Sequence, residues 1–176
     1  MRGIGEILKH SGSDKATGHS YDLVYGPLFE KIRRFTHSVL EIGVYRGASL
    51  RAWHEIFPAA TIVGLDPSPQ KDMQIPKERA VCLRVDATNK AAIAPAVAKY
   101  GPFDVIVDDG SHDPKHQKAS LSLLLPHVRR GGFYIIEDVR NLEIALALAK
   151  PYKGVVIDLR AFKGKHDDIL VVFCGR

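Results

Sequence analysis

The sequence predicts an α/β domain built on a seven-stranded, mostly parallel sheet with one antiparallel strand and a short helical preface. Three observations carry this expectation. From Ser38 onward, short β-rich runs alternate with helix-period segments, the pattern of strands joined by helical crossovers. Several of the runs are nearly continuously apolar, as strands covered on both faces must be. The last two runs are separated by a polar, glycine-containing stretch, residues 161–168, with no good helical pattern. That stretch reads as a hairpin, which leaves one antiparallel strand near the sheet edge.

Taken in order, residues 4–10 and 21–35 read as preface helices separated by SGSDKATGHS. The strand candidates are 38–43, 61–66, 81–86, 103–108, 133–137, 155–159 and 169–173. Helical patterns span 48–57 and about 90–99. The clearest helix opens at Asp113-Pro114, an N-cap carboxylate followed by proline in the first helical position. It sets Leu121, Leu124 and Leu125 on one face before Pro126 interrupts it. No repeat, low-complexity tract or linker divides the chain, so residues 1–176 are expected to form one domain, a preface over 1–37 and a core over 38–176.

Composition narrows the function classes. No apolar run approaches the ~20 residues of a membrane span, and the first residues lack the long apolar stretch of a secretory signal, so a cytoplasmic protein is expected. The net charge of +5 invites a nucleic-acid partner, but the basic residues fall in twos (Arg33-Arg34, Arg129-Arg130, Lys163 with Lys165) rather than in a stripe interleaved with aromatics. Nucleic acid is therefore not the expected partner. Cys82 and Cys174 lie in apolar runs and read as buried free thiols.

Ligands of open α/β sheets sit outside the carboxyl ends of the strands, so the residues standing there matter most. The first strand runs through Glu41 into Gly43-Val44-Tyr45-Arg46-Gly47 and then a helix. Gly43 permits a tight turn, Gly47 a close backbone approach, and the helix N-terminus favours an anion, although a plain glycine turn has the same appearance. The spacing is not the three-glycine pyrophosphate cradle, and bulky Tyr45 and Arg46 sit in the turn, which disfavours a nicotinamide cofactor. The second strand ends in Asp66, placed to accept both hydroxyls of an adenosine ribose, or simply to start the Pro67-Ser68-Pro69 turn. The third ends in Asp86-Ala87-Thr88, where a carboxylate can meet an adenine amino group or cap a helix. Three such signals at successive strand ends point to one adenosine-containing cofactor.

The fourth run ends Asp108-Asp109-Gly110-Ser111-His112 and the fifth Glu137-Asp138. Four carboxylates on neighbouring strand ends oppose folding unless a cation or protons neutralise them, and hard oxygen donors favour Mg²⁺ or Mn²⁺. Adjacent residues at a strand end point to opposite sides, so Asp108 and Asp109 should not both be ligands. Asp108 is counted on the cofactor side. His112, just ahead of a helix, is a natural general base, with His116 one turn on as its substitute.

From about Ser13 to its end the chain resembles the Mg²⁺-dependent sugar O-methyltransferases of macrolide biosynthesis, of mycinamicin and tylosin type. The matching stretches are DKATGHSYDLVYGPLF, VLEIGVYRGASLRAW, FPAATIVGLD, FDVIVDDGSHDPKHQKAS and GGFYIIEDV. The resemblance implies a Rossmann-like class I methyltransferase fold and S-adenosylmethionine with Mg²⁺. It implies metal ligation by Asp109, Glu137 and Asp138, with His112 as base and Asp109 beside it in catalysis. The cofactor would be lined by Glu41, Gly43, Gly47, Asp66, Asp86, Ala87 and Asp108. Family members with an additional N-terminal domain are longer, so substrate-covering elements are expected to be reduced here. The expected partner is a small hydroxylated acceptor, foremost a sugar with vicinal hydroxyls. Rings make up 8% of the chain with no evident cluster to sandwich a flat phenol. Residues 14–25, with His19, Tyr21 and Tyr25, could close over the acceptor as a lid or merely pack on the sheet. A catechol or phenol O-methyltransferase and a non-catalytic cofactor-binding subunit are the rival readings, and homo-oligomerisation stays open.

Overall fold

The computed structural model describes residues 2–176. Seven strands form one sheet in the order β3-β2-β1-β4-β5-β7-β6. These are β1 (Ser38–Ile42), β2 (Thr61–Asp66), β3 (Ala80–Arg84), β4 (Phe103–Asp108), β5 (Val128–Ile136), β6 (Val155–Asp158) and β7 (Ile169–Cys174). β1 to β5 are mutually parallel, and β7 runs antiparallel to both β5 and β6. The expected antiparallel strand is thus β7, one place in from the edge. A four-residue helix, α7 (Arg160–Lys163), interrupts the connection that was expected to be a simple hairpin.

Alternation along the strands divides the core into two layers. Val39, Val105, Val107 and Ile135 pack beneath α1 (Ile4–His10), α2 (Asp22–Glu30) and α3 (Ala48–Ile56). Leu40, Ile42, Ile106, Tyr134 and Ile136 pack on the other face against α4 (Lys90–Tyr100), α5 (Pro114–Leu124) and α6 (Leu142–Ala149). The caps explain where these helices start. Asn89 accepts from the Ala91 and Ala92 amides, Asp113 from Lys115 ahead of Pro114, and Asn141 from Ile144. α6 was not singled out in the sequence, because a short run that is apolar apart from Glu143 has no periodicity to separate helix from strand.

Other boundaries moved for local reasons. α2 stops at Glu30 and continues as turns. β3 ends at Arg84 because Asp86 folds back to accept from the Thr88 amide and hydroxyl. Cys82 is half-buried and Cys174, the last residue of β7, is exposed; both are free, so burial of the two thiols is corrected. An aromatic cluster is sealed inside the α1–α3 layer and lines neither of the cavities described below. Tyr25 stacks on Phe29 at 4.8 Å, with Trp53 edge-on to both and Phe57 closing the column. No described helix is long and apolar enough to cross a membrane.

Candidate active site

The turn after β1 is shaped by two glycines. Gly43 lies at φ +84°, and a Cβ there would stand 2.1 Å from the carbonyl oxygen of Asp109. Gly47, at φ +80°, would place a Cβ 2.5 Å from the Gln74 carbonyl oxygen. Both positions therefore exclude any side chain. Tyr45, between them, is also left-handed at φ 48° and is exposed. Asp66 ties this turn to β2: one carboxylate oxygen accepts from the Val44 and Tyr45 amides at 3.0 and 3.3 Å, and the other from Ser68 at 2.7 Å.

Two adjoining cavities open at this edge. One, of about 350 Å³, is lined by Ile42, Asp66, Asp86, Ala87, Gly110 and Gln117 among others. The second, of about 550 Å³, shares Gly43, Asp66 and Gly110 with the first and adds Tyr45, Arg46, Asp109 and His112. Gly43, Asp66, Asp86 and Ala87 thus stand where a nucleoside-containing cofactor could lie. Asp86 caps its own turn, the helix being capped by Asn89.

Of the other three expected cofactor residues, two line neither cavity and the third lines one with its carboxylate already engaged. Glu41 is fully buried and lines neither cavity, because the β1 alternation turns it beneath α3; its carboxylate accepts from Ser49 Oγ at 2.7 Å. Burial pushes that carboxyl up to about 7 against the pull of Lys15. Gly47 lines neither cavity and serves the turn. Asp108 lines the smaller cavity, but its carboxylate is taken by Ser120 Oγ and by Tyr134 OH at 3.0 Å, and burial raises it to about 6. As expected, Asp108 and its neighbour Asp109 point to opposite faces.

Asp109, Glu137 and Asp138 come together on the α1–α3 side, around a residue sequence reasoning missed. Lys15 Nζ, 1% exposed, lies 2.6 Å from Asp109 Oδ2, 2.5 Å from Glu137 Oε2 and 3.7 Å from Glu41 Oε1. Burial works against its charge, but Asp109, Glu137 and Glu41 outweigh that and hold the ammonium protonated well above the usual lysine range. The acids outnumber the cation. Burial accordingly raises Glu137 despite Lys15, and raises Asp138 together with the charge of Asp109. Nothing in the DKATGHS turn marks this lysine as buried; only its position in the preface hinted at contact with the edge.

The tyrosines of the preface complete the arrangement. Tyr25 OH donates to Glu137 Oε1 and Tyr21 OH to Asp138 Oδ1. His19 stacks on Tyr21 and its Nδ1 lies 3.4 Å from both Asp138 and Asp168. His19, Tyr21 and Tyr25 are buried, so their polar groups face the acids and not an acceptor; the packing alternative describes them better than a lid. On the open side, His112 Nε2 stands 3.6 Å from Asp138 Oδ2 and 3.9 Å from Asp109 Oδ1. His112 and Asp138 both hold left-handed backbone, at φ 55° and 52°, a strain common at functional sites. His116 bonds Ser111 Oγ and lines the smaller cavity instead.

Asp109, His112 and Asp138 can each offer one ligand atom, all within 4.8 Å of one another. The two carboxylates suit a hard divalent cation, whereas an imidazole suits softer metals, so the oxygens of Asp109 and Asp138 are the hard donors of the group. Glu137, expected as a third ligand, has both oxygens engaged by Lys15 and Tyr25 and lies a layer deeper.

One edge of this α/β sheet thus carries a glycine turn, strand-end carboxylates and two adjoining cavities. The chain belongs to the methyltransferase-domain family, whose model matches residues 40–139. It is 33% identical over 144 residues to an 8-demethyl-8-(2-methoxy-alpha-L-rhamnosyl)-tetracenomycin-C 3'-O-methyltransferase of Streptomyces olivaceus, covering 77% of this chain and 36% of that one. It is 36% identical over 128 residues to the mycinamicin VI 2''-O-methyltransferase of Micromonospora griseorubida, covering 69% and 32%. A solved structure of a mycinamycin-pathway methyltransferase in complex with Mg, SAH and mycinamycin VI superposes with a TM-score of 0.71 at 34% identity, covering 78% of this chain and 37% of that one. The chain spans about a third of the length of the curated relatives it matches.

Proposed function

We propose that the protein is an S-adenosylmethionine-dependent, divalent-metal-dependent O-methyltransferase acting on a sugar hydroxyl of a natural product. One observation carries the reading. An oxygen of Asp109 and an oxygen of Asp138 turn toward His112 Nε2, and Asp109 and His112 line the cavity that adjoins the one holding Asp66 and Asp86. The named relatives, which methylate sugars of tetracenomycin and mycinamicin, support the acceptor class.

In this reading Asp66 accepts the ribose hydroxyls and Asp86 faces the adenine, while the bare Cα of Gly43 lets the Asp109-Gly110 backbone close against the turn that borders both cavities. Asp109 and Asp138 hold the cation, with Glu137 as the third acid of the centre. When bound, Mg²⁺ supplies Lewis acidity toward two neighbouring acceptor oxygens, and S-adenosylmethionine supplies the methyl group. His112 Nε2 would take the proton from the acceptor hydroxyl as that oxygen displaces the sulfonium sulfur from the methyl carbon, the sulfur keeping the electron pair of the broken S–C bond and leaving as S-adenosylhomocysteine. Holding the reactants in line is worth up to about 7–11 kcal/mol.

A competition assay with labelled cofactor tests the reading. Glycosides with free vicinal hydroxyls should be methylated, chelator should abolish transfer, and Mg²⁺ or Mn²⁺ should restore it. Full turnover in excess chelator refutes the metal. Equal rates on sugars lacking one of the two hydroxyls refute the chelate, and transfer only to catechols or RNA replaces the acceptor.

A further inference from the structure

The carboxylates of the centre are divided between two sides. The inner oxygen of Asp109, Oδ2, is held by Lys15, and the inner oxygen of Asp138, Oδ1, by Tyr21. Their other oxygens, Asp109 Oδ1 and Asp138 Oδ2, face His112. Glu137, with Lys15 on one oxygen and Tyr25 on the other, shares the Lys15 ammonium with Asp109. All three donors come from the preface, and none of them lines either cavity.

We propose that Lys15 and Tyr21 are positioning residues that set the metal ligands Asp109 and Asp138 before the ion arrives, with Tyr25 holding Glu137 beneath them, an inference that rests on the metal-dependent reading above. A carboxylate carrying one fixed donor can rotate little about its terminal bond, so its second oxygen is presented in one direction. The donors are themselves rigid. Tyr25 is clamped between Phe29 and Trp53, Tyr21 is stacked on His19, and Lys15 Nζ lies 6.0 Å from the Trp53 ring centroid in a sealed layer. Asp138 also donates its own amide to Tyr21 OH at 3.1 Å, so that hydroxyl fixes both the backbone and the side chain of the ligand.

The opposing idea is that the Lys15 ammonium fills the seat of the ion. Its place argues against this: it stands beneath the acids with Glu41 on its far side, whereas the free oxygens face the open side with His112. The two ideas differ in sign. Removing a competing cation tightens metal binding, whereas removing an orienting donor weakens it, by about 10–100-fold for outer-shell partners of metal ligands.

Mn²⁺ affinity, measured by paramagnetic resonance and by calorimetry on the full chain, decides between them, with S-adenosylhomocysteine affinity measured in parallel. Tyr21→Phe keeps the ring and removes only the hydroxyl; Lys15→Met keeps most of the stem and removes the charge. Each variant should bind Mn²⁺ about 10–100-fold more weakly while S-adenosylhomocysteine affinity stays within about threefold. Equal or tighter Mn²⁺ binding by Tyr21→Phe, or tighter binding by Lys15→Met, overturns the proposal alone. Failure of the unaltered chain to bind Mn²⁺ overturns the metal reading and the proposal with it. If Lys15→Met does not fold, Tyr21→Phe decides.

Discussion

Replacing Glu41 by glutamine should change how stability depends on pH, and the size of the effect follows from its burial. The Glu41 carboxyl is fully buried, one oxygen accepts from Ser49, and the other has no hydrogen-bond partner. Burial raises it from the ordinary 4.5 to about 7, with Lys15 pulling the other way. A raised folded-state value means the native chain binds this proton more tightly than the unfolded chain. Stability from this group is therefore fully present below pH 4.5, lost as pH rises through the window up to about 7, and level above it. At 1.36 kcal/mol for each pH unit the loss is about 3 kcal/mol. Glutamine keeps an acceptor for Ser49 and cannot ionise. The stability difference between Glu41→Gln and the unaltered chain should rise by about that amount between pH 4.5 and pH 8. Urea titrations in chelator measure it. With an m-value of about 2 kcal/mol/M the midpoint difference should widen by about 1.5 M. A difference constant to within about 0.5 kcal/mol across that range refutes the reasoning, because Glu41 would then be ionised or protonated alike in both states.

Two further outcomes test the two halves of the site. Asp66→Ala removes the carboxylate that holds the Val44 and Tyr45 amides, and should weaken S-adenosylhomocysteine binding at least about tenfold by calorimetry, with unchanged affinity removing Asp66 from the cofactor site. His112→Ala should lower turnover by about 10²–10⁴-fold while S-adenosylhomocysteine affinity holds, and retention of most activity would reduce His112 to ordering the turn before Pro114.

Much of the fold was legible because it rests on short-range rules. Apolar strand runs, the Asp113-Pro114 start and the polar break before β7 each follow from local chemistry, and each lies close to where it was expected. The misses are of two kinds. α6 and the turn after Glu30 were not legible because a run's own composition does not set its helical state or its end. Cys174 was misread because burial depends on which helix covers which strand, a property of tertiary packing.

In the site, strand ends were legible and the preface was not. The β period sent Asp108 one way and Asp109 the other, as the alternation rule requires, yet the same rule carried Glu41 beneath α3 and out of the cavities. The crowding of acids did imply a neutralising charge. What the sequence left open was its source, since Lys15 lies 94 residues from Asp109 and 122 from Glu137. The answer found in the chain is a fixed ammonium on the inner side of the acids, which satisfies Glu137 and half of Asp109. It leaves the outer oxygens of Asp109 and Asp138 beside His112 Nε2, at 3.9 and 3.6 Å, where Asp109 and His112 line the larger cavity. An edge built only for stability would have closed that second side as it closed the first. The asymmetry, one side sealed by Lys15, Tyr21 and Tyr25 and the other left to His112, is the physical reason to look for a bound cation there.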